Sequence, residues 1–410
     1  MTAVRIVRLA TGGDGVGGLE DGRTVFVPRT GAGDLVELSQ VRTYRRYARA
    51  RIGRLVEPSP DRVVPPCPHY VKDECGGCQL QHLTAEAQRA ARRGSVGDAL
   101  RRIARLDAPD PQIVPAEQEF GYRTKITLAV DEGGRRIGLH PFDRPDRVFE
   151  LEHCHITRDE LMHLWTGLRA LRSLLPASLR QLVLRLDRSG GRHVLLVVDP
   201  AADAWQGGAA LASGLAGRGL DATLWIRPED GEPRPLDVRA GEPEPYPATV
   251  FEQVNPAMGD KVRAFAIGAL GDVAGRQALD LYAGIGETTA ILVRAGARVQ
   301  SVESDARAVA EAEARGPAAE RLVGRVERML DRLHRPDRVI TNPPRTGMDE
   351  RVTAALARFG PERIVYISCD PATLARDLSR LPGYRLTGAL AFDLFPQTAH
   401  VETVVTLEHA

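Results

Sequence analysis

The five cysteines fall at Cys67, Cys75, Cys78, Cys154 and Cys369. That is too sparse for a disulfide framework in a chain of 410 residues. Four of them could complete a metal or cluster shell, leaving one thiol for chemistry. Cys67, Cys75 and Cys78 lie close together in CPHYVKDECGGCQLQH, and Gly76-Gly77 allows a tight wrap with backbone amides aimed at sulfur. Cys154, in LEHCHI, is the natural fourth ligand. Zinc accepts four thiolates. Zinc ribbons usually bring two Cys-x2-Cys knuckles, however, and one knuckle plus two single cysteines fits iron–sulfur ligation better. The neighbouring His69, His82, His153 and His155 read as ordinary hydrogen-bonding residues.

Cys369 stands apart, in VYISCDPATLARDL. An apolar strand runs into it and a helix starts near Pro371, so the thiol sits at a helix N-terminus. Such a place is expected to expose it and lower its pKa. Downstream, FDLFPQTAHVETVVTLE puts Glu402 inside a valine-rich strand. An acid there is costly unless used or paired. His400 and Glu402 share one face at period two, and either could accept a proton.

Residues 279–305, LDLYAGIGETTAILVRAGARVQSVESD, read as strand, glycine turn, helix and strand, ending at Glu303. Glycines let a nucleotide-like ligand approach the backbone, and an acid at the next strand tip receives two ribose hydroxyls. The third glycine of the dinucleotide fingerprint is Thr289 here, and no phosphate-binding Lys-Ser/Thr follows. A cofactor with adenine and ribose but no phosphates fits better, which points to S-adenosylmethionine. In VITNPPRTGMD, Asn342-Pro343-Pro344-Arg345 makes a rigid lip at another strand end.

The elements that must position these groups fall into three regions. Residues 1–57 hold short strands separated by Gly/Asp turns, as expected of an OB-like barrel. From Arg42 to Arg54 come six arginines, two tyrosines and no acid. This stretch is read as the closing strand and rim, a surface for single-stranded nucleic acid. Residues 58–250 form a central α+β region with the clustered cysteines, a helical stretch at 85–106, strands at 124–130, 182–187 and 193–198, and a Pro/Glu/Gly-rich loop at 227–247. From 251 to 410 strands alternate with helices, the rhythm of a doubly wound, mostly parallel α/β domain. Formal net charge is +1, but 52 of the 55 basic residues are arginine, only Lys72, Lys125 and Lys261 being lysine. Arginine suits phosphates and base edges, although GC-rich coding also favours it. No apolar run of roughly 18 residues suggests a membrane span. The first residues lack an apolar signal core, so a cytoplasmic protein is expected.

Taken together, these motifs resemble the RNA uracil-5-methyltransferase family, in its branch with an N-terminal TRAM domain and an iron–sulfur cluster. The match runs through Phe251-x-Gln253-Val254-Asn255, DLYAGIG, NPPRTG, YISCDPATLARD and FPQTAHVET, in family order over essentially the whole chain. The resemblance implies a TRAM barrel at 1–57, a central domain at 58–250 and a Rossmann-like S-adenosylmethionine-dependent catalytic domain at 251–410. It implies that Cys369 attacks C6 of a uracil, that C5 takes the methyl group, and that Glu402 removes the C5 proton. Gln253, Tyr282, Glu287, Glu303 and Asn342 are implied to line the cofactor site, and Cys67, Cys75, Cys78 and Cys154 to hold a [4Fe-4S] cluster. The implied partner is RNA, foremost 23S ribosomal RNA with tRNA as the alternative, and the chain is expected to act as a monomer. The family's usual Asp-Pro-Pro-Arg begins with Asn342 here, and Asp370 stands where Asn is common. Two other readings follow from Asn342: a non-catalytic RNA-binding or assembly factor, and an amino-group methyltransferase. Intact Cys369 and Glu402 argue against the first, and Cys369 would have no task in the second.

Overall fold

The computed structural model describes residues 3–199, 205–236 and 252–410, and three β-sheets organise them. The first runs in the order Ala3–Arg5, Leu35–Thr43, Tyr47–Glu57, Thr24–Val27, Gly15–Gly18, Arg8–Leu9. Its two outermost strands are consecutive pieces of one segment, so the sheet closes on itself. Ile6 N–H donates to Asp34 O at 2.8 Å and Val7 N–H to Val16 O at 2.9 Å across that closure. Alternation along the strands turns Val4, Val25, Val27, Val36, Leu38 and Ala48 inward. The interior is narrow: a Cβ on Gly15 would come within 1.9 Å of Thr30 Oγ1.

The arginine–tyrosine stretch 42–54 is a hairpin rather than one closing strand. Arg42 and Thr43 pair with Arg49 and Ala48, and Tyr44 N–H donates to Tyr47 O at 2.8 Å. Arg45-Arg46 offers nothing apolar to either face, so the chain reverses there.

The second sheet has the order Phe149–Glu150, Ile137–Leu139, Lys125–Val130, Leu179–Leu186, Arg192–Val198, Thr223–Pro228, Arg234–Pro235. Helices Asp159–Ala170 and Gly208–Ala216 cover one face. Leu161, Leu164, Trp165 and Leu168 supply the helical stripe. The loop expected at 227–247 begins as strand and turn, and from 237 it lies outside the described residues.

The third sheet has the order Glu320–Val323, Arg298–Glu303, Gln277–Leu281, Arg338–Thr341, Arg363–Ser368, Glu402–His409, Tyr384–Phe392, Gln112–Val114. Its first five strands are parallel, and Glu402–His409 runs antiparallel to Arg363–Ser368. Two pieces come from the region read as central. Strand Gln112–Val114 pairs with Tyr384–Phe392, and helix Ala85–Arg102 buries Val96, Ala99 and Leu100 in this sheet's core. The boundary at 58–250 therefore does not coincide with the packing units. Among the described residues no helix is long and apolar enough to cross a membrane.

Candidate active site

Strand order reverses at Gln277–Leu281, whose successors lie on opposite sides, so a crevice opens beyond the carboxyl ends of the parallel strands. Tyr282, Glu303, Asn342 and Cys369 each follow or end one of these strands.

The turn after Gln277–Leu281 is left-handed at Tyr282 (φ 62°), Gly284 (φ 56°) and Gly286 (φ 73°). For Tyr282 that conformation costs about 1–3 kcal/mol. A Cβ on Gly284 would meet no atom within 4 Å, so the backbone there faces open space. Glu303 accepts from Gly284 N–H at 2.9 Å through Oε2 and from Asp305 N–H at 2.8 Å through Oε1, which ties the two strand tips together. Oε1 also accepts from the Ser304 N–H and hydroxyl at 2.6 and 2.9 Å, so Oε2 is the oxygen that keeps a lone pair for a ligand hydroxyl. Buried Asp280 braces the turn from below through the Thr289 hydroxyl at 2.6 Å, and burial raises its carboxyl to about 6. Asn342 is exposed, its N–H bonded to Leu281 O at 3.2 Å.

Two residues of the expected cofactor set differ in setting. Gln253 precedes helix Pro256–Ala269, packs against Gly259 and makes no side-chain hydrogen bond to the described residues. Glu287 is turned to other work: Arg188 lies 2.8 Å from Oε1 and Arg263 bonds Oε2. Both oxygens are thus paired with guanidinium groups, one following a strand of the second sheet and one on helix Pro256–Ala269. The cleft of about 540 Å³ beside it, lined by Arg188, Arg263, Gly286 and Arg294 among others, contains none of Asn342, Cys369 and Glu402.

The reactive thiol and the buried acid meet through strand pairing. Ser368 lies opposite Thr403 in the antiparallel pair, so the next positions, Cys369 and Glu402, are neighbours. Cys369 precedes helix Pro371–Ser379, whose N-cap Asp370 accepts from Thr373 N–H at 2.8 Å. The expected lowering of the thiol pKa is not what the structure gives. Burial pushes Cys369 up and the Glu402 charge adds to it, while the Arg345 guanidinium opposes both by charge and by a hydrogen bond. Glu402 is 2% exposed, and its Oε2 has no hydrogen-bond partner among the described residues. Burial lifts its carboxyl to about 8 against the pull of Arg345. Arg345 Nη2 also donates to His400 Nε2 at 3.3 Å. Burial, then Arg345 and Arg123, hold His400 down at about 4. His400 is thus neutral with its lone pair engaged, whereas Glu402, once ionised, has an oxygen free to accept a proton.

Arg345, the last residue of the Asn342–Arg345 motif, also belongs to this site, beside His400 and Cys369; the motif by itself signals only a rigid turn. Its loop is rigid. Asp377 Oδ2 accepts from Met348 N–H at 2.7 Å and Tyr366 OH at 2.8 Å, and Arg376 donates to Thr346 O at 2.8 Å. A Cβ on Gly347 would strike Arg376 and Asp377 at 2.5 Å.

The four clustered cysteines surround one buried region. Cys67 and Cys78 pack with Tyr70, Tyr122, Ile156 and Cys154, and Gly77 N–H points at Cys75 Sγ from 3.4 Å. Cys67, Cys75 and Cys78 each feel the charge of Cys154, and burial raises Cys75 to about 11 and Cys78 to about 12. Among the described residues no group of three His, Cys, Asp or Glu side chains is placed to hold a single metal ion. Cys67, Cys75 and Cys78 are buried and Cys154 is half-buried.

A protein-family model described as tRNA (Uracil-5-)-methyltransferase matches residues 307–410. An uncharacterized RNA methyltransferase of Gloeobacter violaceus is 34% identical, over 99% of this chain and 96% of its own. The 23S rRNA (uracil(1939)-C(5))-methyltransferase of Pseudomonas putida is 33% identical, over 98% of this chain and 92% of its own. Among solved structures, the Pyrococcus abyssi tRNA (uracil-54, C5)-methyltransferase in complex with S-adenosyl-L-homocysteine superposes with a TM-score of 0.74 at 24% identity. That likeness covers 98% of this chain and 99% of the other, and it establishes a shared fold.

Proposed function

Since the chain belongs to the S-adenosylmethionine-dependent RNA uracil-5-methyltransferase family, we propose that it methylates C5 of a uridine in 23S ribosomal RNA through a covalent Cys369 adduct. The observation that carries this reading is the register placing Cys369 beside Glu402 with Arg345 over both. The Cys369 sulfur adds to C6 of the uracil and the C5=C6 electrons move toward O4, so that C5 becomes nucleophilic. S-adenosylmethionine supplies the methyl group as an electrophile. Glu402 then takes the C5 proton, the C5=C6 bond re-forms, and the C6–sulfur bond breaks to return the thiolate. Arg345 favours the thiolate and the carboxylate, the charged forms that the buried site otherwise opposes. We assign cofactor contacts to Gln253, the Tyr282–Gly286 turn, Glu303 and Asn342. A ribosomal substrate is favoured over tRNA because several relatives at 30–34% identity across nearly the whole chain carry 23S rRNA names.

The test is trapping on 5-fluorouridine-substituted 23S RNA with S-adenosylmethionine. Fluorine cannot leave as a proton, so a methylated complex resistant to denaturation should accumulate. Trapping on tRNA alone would move the substrate, and no trapping on either RNA, with cofactor bound, would overturn the mechanism.

The barrel hairpin is our candidate RNA contact. Tyr44 and Tyr47 stack at 4.6 Å between ring centroids and are 44% and 36% exposed. Arg51 pairs with Glu74 and Asp143, and Arg54 with Glu37. Arg42, Arg45 and Arg46 have no acidic partner among the described residues. Free cations beside a stacking platform suit an unpaired strand. Arg45→Ala/Arg46→Ala should lower the slope of log affinity against log salt by roughly 1.4, two single-strand phosphate contacts' worth. Melting temperature should not move. An unchanged slope in a salt titration would remove the hairpin from the interface.

The [4Fe-4S] cluster would be held by Cys67, Cys75, Cys78 and Cys154, and we expect it to serve folding and RNA binding rather than redox turnover. Gln79 and Leu80, next to Cys78, donate backbone N–H groups to Gln397 O at 3.1 and 3.0 Å, so its loop also walls the segment leading to Glu402. Protein purified without oxygen should contain about four iron and four sulfide per chain, as a cubane requires. Cys78→Ser should lose both. Stoichiometric zinc without sulfide would replace the cluster by a zinc site.

A further inference from the structure

The segment that carries His400 and leads into Glu402 is held by a helix 309 positions earlier in the chain. From Ala85–Arg102, Gln88 and Gln397 form a reciprocal pair. Gln88 Nε2 donates to Gln397 Oε1 at 2.9 Å, and Gln397 N–H donates to Gln88 Oε1 at 3.0 Å. One turn on, Arg92 Nη1 donates to Thr398 O at 2.7 Å, and its Nη2 lies 2.9 Å from Asp393 Oδ1. Gln88, Arg92, Asp393 and Gln397 are all at most 3% exposed. Gln397 is left-handed at φ 69°, a conformation that must be held in place for a residue other than glycine.

Stability alone does not account for this arrangement. Replacing a buried ion pair by well-packed apolar side chains of similar volume often costs no stability. This pair is also imperfect: the 2.9 Å contact is off-line, and Asp393 Oδ1 accepts no aligned hydrogen bond. What the four residues do accomplish is specific. They fix Asp393, Gln397 and the Thr398 carbonyl, which brackets Pro396–His400 and so aims His400 at Arg345 and Glu402 at the space beside Cys369.

We propose that Gln88 and Arg92 are positioning residues for proton removal from C5, acting through the 393–400 segment on Glu402. This rests on the methyl-transfer mechanism proposed above. A base displaced by about 1 Å loses on the order of a hundredfold in rate. The loss should fall on the last step, since Cys369 and the cofactor turn stand on other elements.

The experiment compares wild type, Gln88→Ala and the double variant Arg92→Met/Asp393→Leu, which leaves no orphaned buried charge. Each is assayed on 5-fluorouridine RNA and on ordinary uridine RNA. Both variants should form the fluorouridine adduct within about threefold of the wild-type rate, while turnover on uridine RNA falls about a hundredfold, as a displaced base requires. A methylated, denaturation-resistant adduct should then accumulate on uridine RNA, where wild type shows none. Turnover within about threefold of wild type would overturn the proposal, as would parallel loss of trapping and turnover without that adduct. If both variants fail to fold, the helix has a folding role only and the proposal falls. A wild type that traps no fluorouridine RNA would instead overturn the mechanism on which it rests.

Discussion

Cys369→Ala is expected to abolish methylation, lowering turnover by about 10⁴-fold or more, equivalent to about 5.5 kcal/mol of barrier. C5 of a uracil is a poor nucleophile while the ring keeps its C5=C6 bond, and only addition at C6 turns it into an enolate carbon. Among the described residues no other group at this site makes that addition: His400 is neutral with its lone pair engaged by Arg345, and Glu402 is a buried carboxyl. Because Cys369 stands at a strand–helix junction apart from the glycine turn, S-adenosylmethionine binding measured by calorimetry should stay within about twofold, the mark of a group used only in the reaction. Cys369→Ser should be nearly as inactive, since an alcohol ionises far less readily than a thiol. Retention of more than a few per cent of 5-methyluridine formation by the alanine variant, read by nucleoside mass spectrometry, would exclude the adduct pathway.

Features carried by neighbours in sequence were legible beforehand. The junction at Cys369, the glycine turn and Glu303 at the next strand tip are local patterns of apolar runs broken by small or polar residues, and local sterics decides them. What depended on distant neighbours was not. The thiol was expected to be acidified by its helix, but burial and the carboxyl of Glu402, brought alongside by antiparallel pairing, reverse the direction. Glu287 had the right position after the glycines, yet two arginines from other elements claim both its oxygens. Helix Ala85–Arg102 reads from sequence only as a helical stretch of the central region. Its apolar stripe is narrow, and its buried Gln88 and Arg92 satisfy a loop far along the chain. Polar residues at buried positions carry no periodic signal, and these are the ones that shape the site.

Glu402→Gln should stop the reaction two steps later than Cys369→Ala, after methyl transfer, and make the protein more stable. Without a proton acceptor the C5 hydrogen stays, so methylated adduct should accumulate on ordinary uridine RNA. Turnover should fall by about 10²–10⁴-fold, the range for a lost general base. The effect on stability follows from burial. The carboxyl sits at about 8 in the fold against an ordinary 4.5, so the folded state holds the proton more tightly than the unfolded chain. Its contribution is favourable below about 4.5 and is lost as pH rises through 8, where the fold must carry a buried, poorly compensated charge. Glutamine has the same shape and no charge at any pH. Its advantage should be near zero at pH 4 and grow to the order of 4 kcal/mol by pH 9, about 1.4 kcal/mol for each pH unit between the two pKa values. Melting curves at stepped pH read this directly. A gap that does not widen with pH, or a variant less stable than wild type at pH 9, would mean that Glu402 is ionised and paired in the fold. The same titration governs activity: the base works only when ionised, so wild-type turnover should climb through pH 8. The acid that weakens the fold above that pH is the one the reaction then requires.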